Sequence, residues 1–192
     1  MNDKMKQAFD ETFRTGETIL WEGETQPFRL LAGREGRGAL LRWCVGALCV
    51  AAGSLVTVLY HTFSPGLFAA MALLYAVIAI APVLTRAQLL GQRYYLTETR
   101  AVTIKTDGTV FTMSREKADA VRLFPLENGA ALALGSPLLE EGDRQLRWRA
   151  LHPAENPGKF GGFNALGLVF YNVENAERAL RLLQIDAEKA GV

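Results

Sequence analysis

Two histidines and two cysteines are all that this chain of 192 residues holds, and that scarcity removes most catalytic chemistry. His61 stands at the edge of an apolar run and His152 far downstream of it. No Cys–His pair, Ser–His–Asp arrangement or metal-spaced cluster can be assembled from them. Cys44 and Cys49 lie inside one apolar run. Five residues apart on a helix, they point about 140° away from each other after a full turn. They neither pair nor share a metal, and read as small apolar residues. The adjacent carboxylates Glu140 and Glu141 read as a solvated turn rather than an acid–base pair. The sequence therefore proposes no catalytic residue, no metal ligand and no cofactor, and an enzyme is not expected.

An excess of charge of one sign is also missing. Lys and Arg number 21 against 20 Asp and Glu, a formal net charge of +1, so nucleic-acid binding gains no support. A secretory leader is not expected, because residues 1–42 mix Lys4, Lys6 and Arg14 with Asp3, Asp10 and Glu11 and contain no short apolar core before a cleavage site. The stretch GREGRG at 33–38 has the wrong spacing for a Walker or a dinucleotide loop. It is expected to be a flexible juxtamembrane stretch whose arginines meet lipid headgroups.

The most informative absence is that of charge between residues 43 and 85. Trp43–Phe63 and Leu67–Thr85 each lack Asp, Glu, Lys and Arg. The first covers roughly 31 Å at the helical rise, enough for a hydrocarbon core of about 30 Å. Ser64, Pro65 and Gly66 between them are turn chemistry, so the two helices are expected to be antiparallel neighbours forming a transmembrane hairpin. Helices apolar all round need lipid or a large core. Arg34, Arg37 and Arg42 precede the first run, and Arg86, Arg93 and Arg100 follow the second, while the connection has no Lys or Arg. Positive charge collects on the cytoplasmic side. The expected protein is thus a multi-pass protein of the inner, cytoplasmic membrane with both termini in the cytoplasm. Trp43 at one edge, and Tyr60 and Phe63 at the other, suit interfacial belts. Gly46, Ala52 and Gly53 are among the small residues that let helices approach closely, within the hairpin or between copies in a homo-oligomer. No ionisable residue sits mid-run, so a transporter has no visible ion carrier.

Outside these runs the pattern is mixed. Residues 4–13 predict a short helix with Met5, Phe9 and Phe13 on one side, and GETILWEG at 16–23 predicts a short strand bounded by glycines. From residue 90 onward short strands are expected: Tyr94–Thr97, Ala101–Lys105, Val110–Met113, Val121–Phe124, Ala130–Leu134, Gln145–Leu151 around Trp148, and Leu166–Tyr171. Asp107-Gly108 and Asn128-Gly129 are the hairpin signals. Asn172 is expected to cap one closing helix carrying Ala176, Ala179, Leu180 and Leu183. The domains so read are an N-terminal segment (1–42), the hairpin (43–85) and a C-terminal domain (90–192).

GETILWEG before the hairpin, the hairpin itself, and YYLTETRAVTIKTDG at 94–108 with Tyr94, Leu96, Thr97 and Arg100 together resemble the bacterial pleckstrin-homology-like family of two-helix membrane proteins. The resemblance implies an α+β membrane protein whose domain is a small β-barrel or bent sandwich closed by a C-terminal helix. It implies no chemistry, since fold does not fix function. The expected function is a non-enzymatic, membrane-anchored adaptor that binds a cytoplasmic protein or peptide, for instance by adding a strand to a sheet edge. Two alternatives stand beside it: a subunit of a homo-oligomeric membrane complex, and a binder of anionic headgroups. The candidate contacts with lipid are Arg34, Arg37, Arg42, Arg86, Arg93 and Arg100, with Lys105, Arg115, Lys117 and Arg122 nearby in sequence.

Overall fold

The computed structural model describes residues 2–14, 16–29, 31, 33–59, 64–115, 121–126, 128–135, 142–153 and 167–189, without the side chains of 33–35 and 184–189. Tyr60, His61, Phe63, Lys117, Glu140, Glu141 and Leu166, singled out above, lie outside the described residues. Five helices and seven strands follow in chain order: α1 (Asp3–Thr12), β1 (Ile19–Glu24), α2 (Gly33–Leu59), α3 (Pro65–Leu90), β2 (Arg93–Thr97), β3 (Arg100–Ile104), β4 (Val110–Ser114), β5 (Val121–Leu126), β6 (Gly129–Leu134), α4 (Asp143–Leu151), β7 (Leu168–Val173) and α5 (Ala176–Lys189). They divide into two compact units, residues 29–87 and a domain made of residues 1–28 with 88–192.

The domain is α+β. One antiparallel sheet has the order β1-β2-β3-β4 and the other β5-β6-β7. The N-terminal segment does not stand apart from the C-terminal one, because β1 pairs with β2 from Glu24–Arg93 to Ile19–Thr97. The two sheets meet where Thr25 bridges Val173 and Gln26 N–H donates to the Asn172 carbonyl at 2.7 Å. A single core fills the space between them: Trp21, Tyr94, Leu96 and Met113 from one sheet, Leu132, Leu134, Leu168 and Phe170 from the other, and Ala176, Ala179 and Leu183 from α5. Trp21 lies parallel to Phe170 with ring centroids 5.7 Å apart. Gly23 is required beside it, since a Cβ there would collide with the Trp21 indole. Gly16, at φ +74°, turns the chain into β1 in a region that side chains disfavour.

The outer face of each sheet is covered, which the sequence reading does not anticipate with its single closing helix. On the four-stranded sheet, α1 lays Met5 and Ala8 against Tyr95, Val102 and Ile104. Asn2 caps α1 through Met5 N–H, 2.8 Å, and donates to the Thr106 carbonyl, 2.8 Å, fixing the helix to the β3–β4 turn. On the three-stranded sheet, α4 lays Leu146 and Ala150 against Ala131, Ala133, Val169 and Tyr171.

The helix α4 corrects the strand expected at Gln145–Leu151. Leu146 and Ala150 alternate with polar residues but are also four apart, so one stripe serves either period. Arg, Gln, Leu and Ala are all good helix formers. Trp148, expected at the strand centre, is 48% exposed and stacks on His152 at 4.9 Å. Asn172 is a second correction. It sits within β7 at φ +49° and donates from its side chain to the Gln26 carbonyl at 2.9 Å, while the helix begins only at Ala176.

The unit of residues 29–87 consists of α2 and most of α3. Both helices outrun their apolar cores. Residues 36–59 and 65–90 are long and apolar enough to cross a membrane, and the stretch 33–38, expected to be flexible, forms the first turns of α2. Pro82 is accommodated inside α3.

Candidate functional site

The stretches at 16–23 and 94–108 hold one another. Glu17 lies between α1 and β1, and Thr97, Thr99 and Arg100 lie around the β2–β3 turn. Glu17 Oε1 accepts from the hydroxyls of Thr97 and of Thr99, the latter at 2.6 Å. Glu17 Oε2 accepts from Arg100 Nε at 2.9 Å and Nη2 at 2.8 Å. Arg100 also donates to the Thr12 carbonyl, 3.0 Å. Burial opposes ionisation of Glu17, but these hydrogen bonds and the charge of Arg100 outweigh it and hold its pKa below the usual carboxylate value. The constellation is a clasp between the two chain segments that flank the apolar helices.

The arginines proposed for lipid contact divide accordingly. Arg100 is held in the clasp, and Arg93 pairs with Glu22 at 3.0 Å and Glu24 at 2.9 Å. Arg37 and Arg42 are exposed on α2, Arg42 donating to the Gly38 carbonyl at 3.2 Å. Arg86 is half-buried on α3, and Arg34 has no described side chain. Arg115 caps the β2–β3 turn, donating to the Thr97 carbonyl at 3.0 Å, and reaches the Leu182 carbonyl of α5 at 2.6 Å.

The three small residues proposed for helix packing also separate. Gly46 approaches the Tyr75 ring and Gly53 approaches Met71. Seven residues apart, they share one helix face and meet α3 running antiparallel. Ala52 lies off that stripe and is exposed. Two hydroxyls of α2 are satisfied within the helix: Ser54 donates to the Val50 carbonyl at 2.7 Å and Thr57 to the Ser54 carbonyl at 2.8 Å. Facing outward instead are large apolar side chains, including Leu48 at 70% and Leu73 at 67% exposure.

On the domain, a groove lined by the whole of β1 runs along that strand. Its volume is about 730 Å³, and Leu20, Glu22, Glu24, Glu174, Asn175 and Arg178 are among its lining residues. The sequence reading identifies the strand but not this groove, because its neighbours come from residues 93 and 174–178.

Interior polar groups are used structurally. Tyr94 donates to Gln92 Oε1 at 2.9 Å and meets the Thr25 hydroxyl at 3.0 Å. Gln92 donates onward to the Ala150 carbonyl, 3.3 Å, and burial pushes the Tyr94 phenol up to about 12. Tyr171 donates to Asp143 at 2.7 Å and accepts from Arg147 at 2.7 Å, which fastens α4 to β7. Burial, together with Asp143, raises the Tyr171 pKa. Among the described residues no group of three or more His, Cys, Asp or Glu side chains could hold a metal ion. Comparison of the chain with protein-family models, with characterised proteins and with solved structures gives no match.

Proposed function

We propose that α2 and α3 anchor this protein in the inner membrane as an antiparallel hairpin. The domain of residues 1–28 and 88–192 is then a pleckstrin-homology-like, non-enzymatic module at the cytoplasmic face that binds a protein or peptide. The observation that carries the reading is the β1–β2 ladder. Residues just before α2 and just after α3 share one sheet, so they lie on the same side of any bilayer, and the helices between them must cross an even number of times. Two helical stretches of 24 and 26 residues, apolar enough to cross a membrane, meet that requirement, and their outward leucines and valines suit lipid. Orientation rests on Arg34, Arg37 and Arg42 in the first turns of α2, on Arg86 in the last turns of α3, and on Arg93 and Arg100 beyond it. Support for the pleckstrin-homology-like reading comes from the four- and three-stranded sheets around one core with α5 packed into it.

Among the alternatives, recognition of one headgroup loses Arg93 and Arg100, whose charge is spent on Glu22, Glu24 and Glu17. Assembly through the glycine stripe loses Gly46 and Gly53, which already face α3. Cysteine accessibility in intact cells tests the reading. In a variant lacking Cys44 and Cys49, Ser64→Cys is expected to react with a membrane-impermeant reagent and Glu177→Cys to stay unlabelled. The opposite pattern puts the domain outside, and labelling of both removes the membrane anchor.

A further inference from the structure

The ladder between β1 and β2 decides which way each backbone group of β1 points. Thr25 N–H donates to the Gln92 carbonyl, so Thr25 and Gln92 are a hydrogen-bonded pair. Antiparallel ladders alternate. In this register, Gly23–Tyr94 and Trp21–Leu96 are therefore the next bonded pairs, and the N–H groups of Glu22 and Glu24 point away from β2. Gln26, next on that outward side, finds Asn172. Beyond it β7 and β1 part, with Asn172 at φ +49° and Asn175 at φ +56° turning the chain into α5. Among the described residues nothing donates to or accepts from the outward backbone of Glu22, nor accepts the outward N–H of Glu24. The groove beside them is open, and Leu20, Glu174 and Arg178 also line it.

We propose that this edge docks an extended, basic segment of another protein, which adds to the four-stranded sheet as a fifth strand beyond β1. The idea rests on the reading of the domain as an interaction module and names its site and partner chemistry. Glu22, Glu24 and Glu174 line the groove against Arg93 and Arg178, and the single charge of Arg93 is shared between both strand glutamates, so the groove keeps an acidic surplus. A Lys or Arg opposite Glu22 or Glu24 would sit on the same sheet face with Cβ atoms about 5 Å apart. A second copy of β1 is disfavoured by the same acidic surplus: an antiparallel register using both outward groups sets Glu22 against Glu22 or Glu24, and opposed like charges are destabilising. Of the other edges, β7 already meets Thr25 and Gln26, and β5 carries Pro125, which has no N–H and interrupts strand addition.

Residue-resolved amide exchange on the full chain in micelles tests this, using as probe a blocked peptide of alternating lysine and valine about six residues long. The outward amides of Glu22 and Glu24 are expected to slow by at least about tenfold. Glu22→Pro removes an outward donor without touching the β1–β2 ladder, and the slowing at Glu24 should vanish in it. Glu22→Ala keeps the backbone donor and should retain it. Glu174→Arg changes a side chain outside the fold's hydrogen bonds, and is expected to weaken the lysine peptide's effect and strengthen that of a glutamate–valine peptide. No slowing at these two amides, slowing that survives Glu22→Pro, or equal slowing by the acidic peptide in the unaltered chain would each overturn the proposal. Anchoring is read by cysteine labelling and docking by two amides, so each reading can fail alone.

Discussion

Truncating Trp21 should strongly destabilise a domain whose other strands all lie after residue 88. The side chain is 5% exposed, is stacked on Phe170 at 5.7 Å, and contacts a core built from both sheets and α5. A tryptophan buries roughly 150–250 Å², about 4–6 kcal/mol at about 25 cal/mol per Å². Mutational data for Trp or Phe to Ala in cores give about 3–5 kcal/mol. Taking about 4 kcal/mol against a typical total of 5–15 kcal/mol, Trp21→Ala leaves a thin margin. With a urea slope of about 2 kcal/mol per M, the midpoint should fall by about 2 M. Pulse proteolysis of the full chain in micelles reads this, because the protease reports the domain while the micelle covers the apolar helices. Trp148→Ala is the internal control: its ring is 48% exposed, and a surface truncation of this kind should stay within about 0.5 kcal/mol. If the two variants shift the midpoint equally, the idea that residues before α2 complete the domain is wrong. A double-mutant cycle with Phe170→Leu should return a coupling of about 0.5–1.5 kcal/mol.

Glu17→Gln should destabilise the domain by about 1–2 kcal/mol at neutral pH, through weakened charge-assisted hydrogen bonds to Arg100. The folded pKa of Glu17 lies below its ordinary value of 4.5, so its contribution is complete above about pH 4.5 and is lost as pH falls through the lower folded value. Urea midpoints of the two proteins should converge on acidification, and a gap that is unchanged at pH 3 would contradict the clasp. In the helix pair, a Cβ at Gly46 would fall 2.8 Å from the Tyr75 ring, so Gly46→Leu should lower the yield of disulfide cross-linking between Gly53→Cys and Met71→Cys. Ala52→Leu, on the exposed side, should leave that yield unchanged; an equal loss would mean that the two helices do not pack through the glycine stripe.

The elements most legible from sequence were those with strong local signals. Uncharged runs long enough for a bilayer announced α2 and α3, and Asp107-Gly108 and Asn128-Gly129 announced their hairpins. The Ala176, Ala179 and Leu183 spacing announced the stripe of α5. Local signals failed where two periods coincide, as in Leu146 and Ala150, and where a residue type suits two jobs. Asn172 is a good helix cap by chemistry, but it also tolerates the left-handed backbone that bends β7 toward Gln26. The candidate edge on β1 was not legible, because an edge is defined by what fails to sit beside it.

The sequence by itself determined that this chain carries two long uncharged helical runs and a mixed strand-rich remainder. Composition and periodicity are local quantities, and those conclusions need nothing else. Only the tertiary structure decided that β1 crosses some seventy positions of sequence to pair with β2, and that Glu17 and Arg100 meet. It alone also decided that Arg93 is neutralised while the outward backbone of Glu22 is left open. Those outcomes depend on hydrogen-bond partners and burial supplied by distant segments, which no window along the chain contains.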